Sequence, residues 1–304
     1  MFAVRFVFFL MVLAGLMPRA DAAEATATLD KIGRAGAIVL GIRESSYPLS
    51  YLDAAHQPIG YHIDICRRIA AAVKTRLGRS DLAIRTEAVT SQSRIPRLLD
   101  GTIDLECGST TNNAARQRLV AFAPTTYVTA VRVAVKKSRG ITGLSQLNGG
   151  TVVTTSGSTS VELLKARQQG TGFHVTQVFG ADHAESFRLL ESDAAAAFVM
   201  DDNLLAGLIA NSARPDEFEI LGETLTVEPI AIMLRRDDPA FKALVDDTVK
   251  AMMASGELAR LYDRWFLQPI PPKGIRLNFP MSPVLAGLIQ FPGDEPVEAF
   301  RAQE

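Results

Sequence analysis

The alternation of strand and helix patterns most constrains how this 304-residue chain can fold. The apolar run 37–42 predicts a buried strand, and apolar residues at helical spacing predict a helix over 62–77. A strand over 81–89, a helix ending at Leu99 and a strand over 103–107 follow. This β-α-β-α-β order predicts a mostly parallel sheet with right-handed crossovers.

The same alternation restarts after a β-rich run over 128–136. Three further strands are predicted over 151–154, 174–178 and 195–200, each followed by a helix. This second α/β block covers roughly residues 131–226. Two blocks of this kind, each with its own parallel strands, predict two lobes rather than one large sheet.

The chain is predicted to cross between these lobes twice. A β-rich run over 225–234 is followed by helices over about 239–254 and 257–266, and no third sheet follows. These helices must therefore pack on the first sheet, so the chain returns to the first lobe. Two crossover segments, at about 126–133 and 224–232, form a hinge with a cleft between the lobes.

The resulting division of the chain has three parts. Residues 1–22 are assigned to a signal peptide, residues 23–128 plus 229–304 to lobe 1, and residues 129–228 to lobe 2. Within lobe 1, residues 268–304 contain seven prolines and are expected to form an extended tail over the surface.

The N-terminal segment has the pattern of a secretory signal. Arg5 supplies a positive start, an apolar core runs over 6–17, and residues 20–22 resemble a small-residue cleavage site. This core is shorter than the roughly 20 residues that a membrane-spanning helix needs. We therefore expect export, with cleavage near Ala22, rather than a membrane anchor.

Composition excludes several partners. With 32 basic and 33 acidic side chains, the net charge is near -1, so there is no basic excess for nucleic acid. The four histidines lack metal-ligand spacing, and the chain contains neither a phosphate-binding glycine loop nor a nucleophile elbow. No metal and no cofactor are therefore expected.

The stretch 106–116 indicates where a ligand binds. A strand ends at Gly108, three hydroxyl side chains follow, and a helix is predicted to start at Asn112 or Asn113, with Arg116 one turn in. Strand ends that open into a helix start are common anion sites in α/β proteins. An ordinary capped helix is the plainer alternative for this stretch taken alone.

Many further motifs stand in one order along the chain, and together they resemble the polar-amino-acid branch (family 3) of the bacterial extracellular solute-binding proteins. The resemblance covers about residues 29–283. The motifs that carry it are Arg43-Glu-Ser-Ser, Thr90-Ser-Gln-Ser-Arg94-Ile-Pro, Glu106-Cys-Gly-Ser-Thr-Thr-Asn-Asn, Thr155-Ser-Gly-Ser-Thr159-Ser, Asp182-His183, Glu185-Ser-Phe-Arg-Leu-Leu-Glu-Ser, Met200-Asp-Asp, Arg236-Asp-Asp-Pro and Gln268-Pro-Ile-Pro-Pro-Lys.

The resemblance implies a type II periplasmic binding protein, likewise two-lobed, that closes over L-glutamate or L-aspartate. It further implies delivery to an inner-membrane ABC permease by a monomer. Mapped by motif, Arg116 and the helix start at Thr159 would hold the α-carboxylate. The implied contacts of the α-ammonium are Ser109, Thr111 and Asp201, and those of the side-chain carboxylate are Arg43, Ser91, Arg94 and His183.

Physical reasoning favours a dicarboxylic ligand as well. Arg116 and an aspartate suffice for the zwitterionic end of an amino acid. Arg43 and Arg94 also stand at the predicted cleft, where two guanidiniums buried without an anion would be unfavourable. A second carboxylate on the ligand would neutralise them. Each residue has a structural alternative, namely a solvated Arg43 or Arg94, a structural His183, or Thr159, Asp201 and Asp202 as helix caps.

The two cysteines, Cys66 and Cys107, leave their pairing open. In an oxidising compartment they can form a disulfide, and each can equally serve as a small buried hydrophobe. The related family member has its second cysteine where this chain has Ile232 and Met233, so its pairing does not carry over. The second crossover, 227–230, also departs from that relative.

The main alternative function is an exported enzyme on the same fold, similar to cyclohexadienyl or arogenate dehydratases. Such an enzyme needs a general acid in the cleft. From the sequence, Glu44 beside Arg43 is the only candidate, and its position favours a loop charge. A sensory ligand-binding domain is a third alternative, for which no signalling segment follows the tail. We therefore expect a binding protein and not an enzyme.

Overall fold

The computed structural model describes residues 27–301, so the predicted signal peptide lies outside the described residues. Strands and helices alternate along most of this range. In chain order the strands are β1 (Ala37–Ile42), β2 (Ser45–Ser46), β3 (Ser50–Leu52), β4 (Pro58–Ile59), β5 (Ala83–Ala88), β6 (Leu105–Glu106), β7 (Val120–Phe122), β8 (Tyr127–Lys136), β9 (Thr151–Thr155), β10 (Thr176–Gly180), β11 (Ala197–Asp201), β12 (Phe218–Ile220), β13 (Thr226–Ile230) and β14 (Met233–Arg235).

Most helices follow a strand, in the alternation that the sequence predicts. They are α1 (Ala27–Ala35), α2 (Tyr61–Leu77), α3 (Arg94–Leu99), α4 (Ala114–Gln117), α5 (Thr159–Gln168), α6 (His183–Glu191), α7 (Asp202–Asn211), α8 (Pro239–Ala254), α9 (Glu257–Tyr262), α10 (Pro283–Gln290) and α11 (Val297–Arg301).

Two large sheets, beside a small three-stranded sheet of β2, β3 and β4, confirm the two-lobed α/β fold. The first has the strand order β5-β1-β6-β14-β7, and we call the part built on it lobe 1. Strands β5 and β6 run parallel to β1, whereas β14 is antiparallel to both of its neighbours. The second sheet has the order β10-β9-β11-β8-β12, with β13 also paired to β8, and we call the part built on it lobe 2.

Helix α2 shows how local sequence positions an element of lobe 1. Its buried residues Ile65, Cys66, Ile69 and Val73 recur at helical spacing and form one apolar stripe. The helix ends at Gly78, whose φ of 63° is the left-handed conformation that favours glycine. The stripe packs into a core that also includes the buried side of α8, as the two late helices were predicted to do.

The β-rich run 225–234 is two strands and not one. Strand β13 pairs with β8 of lobe 2, whereas β14 pairs with β6 and β7 of lobe 1. The chain therefore leaves lobe 2 at 231–232. The earlier passage, at 123–126, lies between β7 of lobe 1 and β8 of lobe 2. The sequence does not show the break between β13 and β14, because the residues on both sides of it have the same β-forming, apolar composition.

The C-terminal segment is more structured than the extended tail predicted from its prolines. Ser282 caps α10 by accepting a hydrogen bond from Leu285 N–H, with Pro283 at the first helical position. Leu285 is buried in the core shared with α8. The segment also bonds to lobe 2, since Lys273 Nζ donates to the backbone oxygen of Asn211 at 2.9 Å.

The structure resolves the pairing of the cysteines. Cys66 on α2 and Cys107, just after β6, form a disulfide with their Cα atoms 6.2 Å apart. The bridge ties α2 to the start of the loop that carries the candidate ligand-binding hydroxyls. Among residues 27–301, no helix combines the length and apolarity that crossing a membrane requires.

Candidate functional site

Lobe 1 presents polar side chains where its strands end. Arg43 follows β1, Ser91 and Arg94 follow β5, and Ser109 follows β6. All four are buried, and the two arginines are each only 2% exposed. The solvated alternative for Arg94 is therefore wrong, because its guanidinium lies inside the molecule.

Gly108 allows Arg43 to lie against the loop after β6. A Cβ atom at position 108 would lie 2.6 Å from Arg43 Cγ and would also overlap the carboxylate of Glu106. Any larger residue here would have to displace one of these two side chains.

Both buried guanidiniums keep N–H groups without protein partners. Arg94 Nη1 donates to the backbone oxygen of Ser109 at 3.1 Å. Among the described residues, Arg43 Nη1 and Arg94 Nε are buried and have no hydrogen-bond partner. Burial, and secondly the charge of Arg94, lowers the pKa of Arg43 to about 10. Unsatisfied buried donors cost free energy, so this part of the site favours an anionic group.

Lobe 2 contributes the facing side of the site. Thr159 is the first residue of α5, His183 is the first residue of α6, and Asp201 is the last residue of β11. His183 and Asp201 are buried, at 2% and 4% exposure, and Thr159 is half-buried. The strand ends and helix starts of lobe 2 therefore meet those of lobe 1, as the parallel strands of both blocks predict.

His183 links the two lobes through Arg43. Its Nε2 lies 3.2 Å from Arg43 Nη2 and its Nδ1 lies 2.9 Å from Thr155 Oγ1, which contacts Ser186 Oγ at 2.8 Å. Because a guanidinium only donates, the network assigns a neutral ring with its proton on Nδ1. Burial and the charges of Arg43 and Arg94 hold the pKa of His183 well below its usual value. His183 here accepts from Arg43 and does not donate into the cleft.

Arg116 reaches both lobes from a short helix. Its Nη1 donates to the backbone oxygen of Thr111 at 2.8 Å and its Nη2 to that of Gly157, in lobe 2, at 3.3 Å. Asn113 caps α4 by accepting from Arg116 N–H, as predicted. With only four residues, α4 has little dipole, so the positive charge of this subsite comes from the half-buried Arg116 itself.

The two adjacent aspartates have different surroundings. Asp202 Oδ1 accepts from Asn203 N–H at 2.8 Å and from Thr129 Oγ1 at 3.0 Å, so it fastens the start of α7. Asp201 stands at the cap position but its side chain does not cap the helix. Burial, with the charges of Glu228 and Asp202, raises the pKa of the Asp201 carboxyl well above its usual value.

Two buried glutamates also lie at the site, although neither was expected there from the sequence. Glu106 is fully buried and accepts from Thr110 Oγ1 at 2.6 Å, and its charge acts on Arg43 and Arg94. Glu228, 3% exposed, lies on the crossover strand β13. The expectation that only a ligand could neutralise the guanidiniums is therefore wrong, since the protein supplies carboxylates of its own.

A pattern in the sequence could have indicated both glutamates, because each interrupts an apolar or β-rich stretch. Glu106 stands inside the apolar stretch 103–107, and Glu228 stands between Val227 and Pro229 in a β-rich run. A charged residue in such a run is either paired or functional.

The lobes touch across the cleft. Gly157, in the turn before α5, has a φ of 77°, and a Cβ atom there would lie 2.8 Å from the backbone nitrogen of Gln92 and 2.9 Å from the carbonyl carbon of Ser91. Gly207 of α7 packs equally closely on Tyr47 of lobe 1. The structure therefore shows a closed arrangement in which a larger residue at position 157 has no space.

A buried set of opposite charges between two closing α/β lobes defines a two-lobed ligand-binding protein. Within the described range, no group of three or more His, Cys, Asp or Glu side chains is arranged to hold a metal ion. The sequence model of one protein family, the bacterial extracellular solute-binding proteins, family 3, matches residues 38–268 of this chain. The chain belongs to that family.

Its relatives include two proteins named for acidic amino acids. The glutamate/aspartate import solute-binding protein of Escherichia coli is 44% identical over 283 residues, which cover 93% of this chain and 94% of that protein. The L-glutamate/L-aspartate-binding protein of Pseudomonas aeruginosa is 45% identical over 276 residues, covering 90% and 91%. An ancestral arginine-binding protein bound to glutamine has a similar structure (TM-score 0.68, 24% identity, 76% of this chain and 98% of that chain), which supports the fold alone.

Proposed function

We propose that this protein captures glutamate or aspartate between its lobes and delivers it to an inner-membrane ABC permease. The observation that carries the proposal is the pair of buried N–H groups on Arg43 and Arg94 that have no partner among the described residues. The relatives named for glutamate and aspartate, at 44% and 45% identity, support the same ligand class.

The proposed ligand would lie across the cleft with its zwitterionic end at the side of Arg116. Arg116 and the backbone at Thr159 would hold the α-carboxylate. The contacts proposed for the α-ammonium are Ser109, Thr111 and Asp201. Those proposed for the side-chain carboxylate are Arg43, Ser91, Arg94 and His183, with His183 orienting Arg43 rather than donating to the ligand.

Preference for a carboxylate over an amide follows from the donors that it would satisfy. A carboxylate accepts charge-assisted hydrogen bonds from both guanidiniums, whereas an amide presents one neutral oxygen and directs an NH₂ group at a cation. The difference should be a few kcal/mol, on the order of 10²-fold in affinity. Because Glu106 already offsets part of the positive charge, the preference rests on these local donors and not on net charge.

Calorimetry with matched ligands tests the proposal. L-Glutamate or L-aspartate should bind with a micromolar or tighter Kd, about -8 kcal/mol or better, and L-glutamine and L-asparagine far more weakly. A clear preference for glutamine over glutamate would contradict the assignment of Arg43 and Arg94 to a carboxylate.

We extend the proposal to the organisation of the chain. Lobe 1 would comprise 23–128 plus 229–304 and lobe 2 would comprise 129–228, with the two passages between the sheets as the hinge. The protein would act as a periplasmic monomer after cleavage near Ala22. Strands β8 and β13 both pair within the lobe 2 sheet and extend it from Tyr127 to Ile230, two residues beyond each of these boundaries.

A dehydratase-like enzyme on the same fold is the weaker candidate. Glu44, the acid singled out from the sequence, is exposed. The buried acids of the cleft do not by themselves favour catalysis, because each faces guanidiniums. The relatives with 44% and 45% identity are solute-binding proteins, which supports binding. Incubation with prephenate or arogenate should give no product.

A further inference from the structure

Glu228 lies where the two lobes and the crossover strand meet. It is the third residue of β13, and its Oε2 accepts from Thr111 Oγ1, of lobe 1, at 2.7 Å and from Thr159 Oγ1, of lobe 2, at 2.9 Å. One buried carboxylate oxygen therefore holds a hydroxyl from each lobe. Neither threonine was expected to have a protein partner of this kind.

This geometry decides the direction of two hydrogen bonds in the ligand site. A threonine hydroxyl has one proton and two acceptor lone pairs. Because an ionised carboxylate only accepts, Thr111 and Thr159 commit their protons to Glu228. Toward a ligand, both oxygens can then only accept, so they suit an ammonium and not a carboxylate.

The same constraint sharpens the proposed contacts of the α-carboxylate. Thr159 cannot donate its hydroxyl to that group while it is bonded to Glu228. Its backbone N–H, at the first position of α5, has no acceptor within the helix and remains available. Arg116 lies beside it with its Nη2 directed to Gly157. A carboxylate is thus held from this side by N–H groups alone.

We propose that Glu228 is a specificity-determining positioning residue that turns Thr111 and Thr159 into hydrogen-bond acceptors, so that the cleft selects dicarboxylates bearing an α-ammonium. This inference rests on the proposed function and deepens it. Glu228 acts through the two threonines and adds a negative charge near Asp201, the residue proposed to contact the same ammonium. A dicarboxylate without an amino group meets two oxygens that cannot donate to it.

The test compares L-glutamate with glutarate, which has the same carbon chain and both carboxylates but no ammonium. Calorimetry on the wild type should show glutamate binding at least about 10²-fold more tightly than glutarate. In Glu228→Leu, the side chain has no acceptor for either threonine, so both hydroxyl protons are released toward the cleft. The glutamate-to-glutarate ratio should fall at least about tenfold, with glutarate affinity unchanged or improved.

Two further variants make the test decisive. Glu219→Leu makes the same change on the exposed face of β12 in the same lobe and should leave the ratio unchanged. Thr111→Val removes one accepting oxygen at nearly constant shape and should reduce glutamate affinity more than glutarate affinity, which keeps the idea testable if Glu228→Leu does not fold.

The outcomes separate this role from the proposed function. Equal losses of glutamate and glutarate in folded Glu228→Leu would overturn the role and leave acidic amino-acid binding intact. The same conclusion follows if Thr111→Val weakens both ligands equally. Wild-type protein that binds neither ligand would overturn the proposed function, and the role with it.

Discussion

Arg43 and Arg94 are side by side at the ends of neighbouring strands, and each lies in the other's electrostatic field. Burial lowers the pKa of both, and Arg94 contributes to the shift at Arg43. Glu106 acts in the opposite direction on both guanidiniums. Burying the two like charges together therefore costs free energy, and a carboxylate from the ligand would reduce that cost.

Arg94→Ala should separate carboxylate ligands from amide ligands. The variant removes the buried Nε that has no partner and the bond to the Ser109 backbone. We expect about 10²-fold or greater loss of glutamate affinity and a much smaller loss for glutamine, measured by calorimetry. Arg97→Ala is a matched control on α3, because Arg97 forms only a surface ion pair with Glu87 among the described residues. Equal losses for both ligands in Arg94→Ala would remove Arg94 from the side-chain subsite.

Asp201→Asn should stabilise the ligand-free protein while abolishing glutamate binding. The folded-state pKa of Asp201 is raised by burial and by Glu228 and Asp202, with Arg94 and Arg116 opposing. The folded state therefore keeps a proton that the unfolded state loses, so the contribution of Asp201 to stability falls as the pH rises above about 4. Each 1 kcal/mol recovered raises Tm by about 2–4 °C in a chain of roughly this size.

The pH dependence of the stability difference between Asp201→Asn and the wild type tests the direction of this effect. Thermal melts should show Asp201→Asn above the wild type at pH 7 to 8, with the difference shrinking as the pH falls toward 4 and vanishing below it, where the wild-type carboxyl becomes protonated in both states. His183 has a lowered pKa and destabilises both proteins at acid pH, so its effect cancels in the comparison. A variant that melts below the wild type at neutral pH would show that Asp201 is stabilising.

At the scale of single elements, α2 is tied to the binding loop by the disulfide and by His62. Cys66 bonds to Cys107, while His62 Nδ1 contacts the backbone oxygen of Gly108 and His62 Nε2 contacts Thr126 Oγ1 at 2.8 Å. Burial lowers the pKa of His62 to about 4, so this histidine is neutral and structural. The loop after β6 is thereby fixed by α2, a helix that contributes none of the proposed ligand contacts.

The disulfide should contribute to stability through the unfolded chain. A bridge between residues separated by 41 positions stabilises by about 3–4 kcal/mol in the chain-entropy description. We expect the Cys66→Ala, Cys107→Ala double variant to unfold at a correspondingly lower urea concentration. Reduced wild-type protein serves as the comparison, because it loses the cross-link without opening a cavity. An unchanged midpoint after complete reduction would show that the bridge has no stabilising effect.

For the whole molecule, the structure shows the lobes in contact. Gly157 meets the backbone of Ser91 and Gln92, Arg43 meets His183, and Glu228 holds threonines from both lobes. These contacts surround the proposed ligand position. Opening would separate those contacts that join one lobe to the other, so ligand binding and lobe closure should be coupled.

Gly157→Ala should hold the lobes apart. Its Cβ atom would meet the Gln92 backbone at 2.8 Å, and its φ of 77° disfavours any side chain. X-ray scattering should show wild-type protein becoming more compact on addition of glutamate, and the variant compacting less and binding more weakly. Gly170→Ala is the control, because it has a similar φ of 71° with no atom within 4 Å. A wild-type radius that does not change at saturating glutamate would contradict closure.

The sequence alone determined the order of the main strands and helices in both blocks, the two-lobed α/β class and the polar residues at the strand ends. Hydrophobic periodicity is local, and the carboxyl ends of parallel strands fall together once a sheet forms. Arg43, Arg94 and His183 could therefore be predicted to face one cleft, and their burial agrees with that prediction.

Only the tertiary structure decided which groups meet across space. The pairing of Cys66 with Cys107, the break between β13 and β14, and the reach of Glu228 to Thr111 and Thr159 all join segments distant in sequence. No local pattern encodes these contacts, because they depend on how two lobes and a crossover strand pack against one another. The physical reason is that periodicity specifies an element and its buried face, whereas the partner of a buried charge is set by packing.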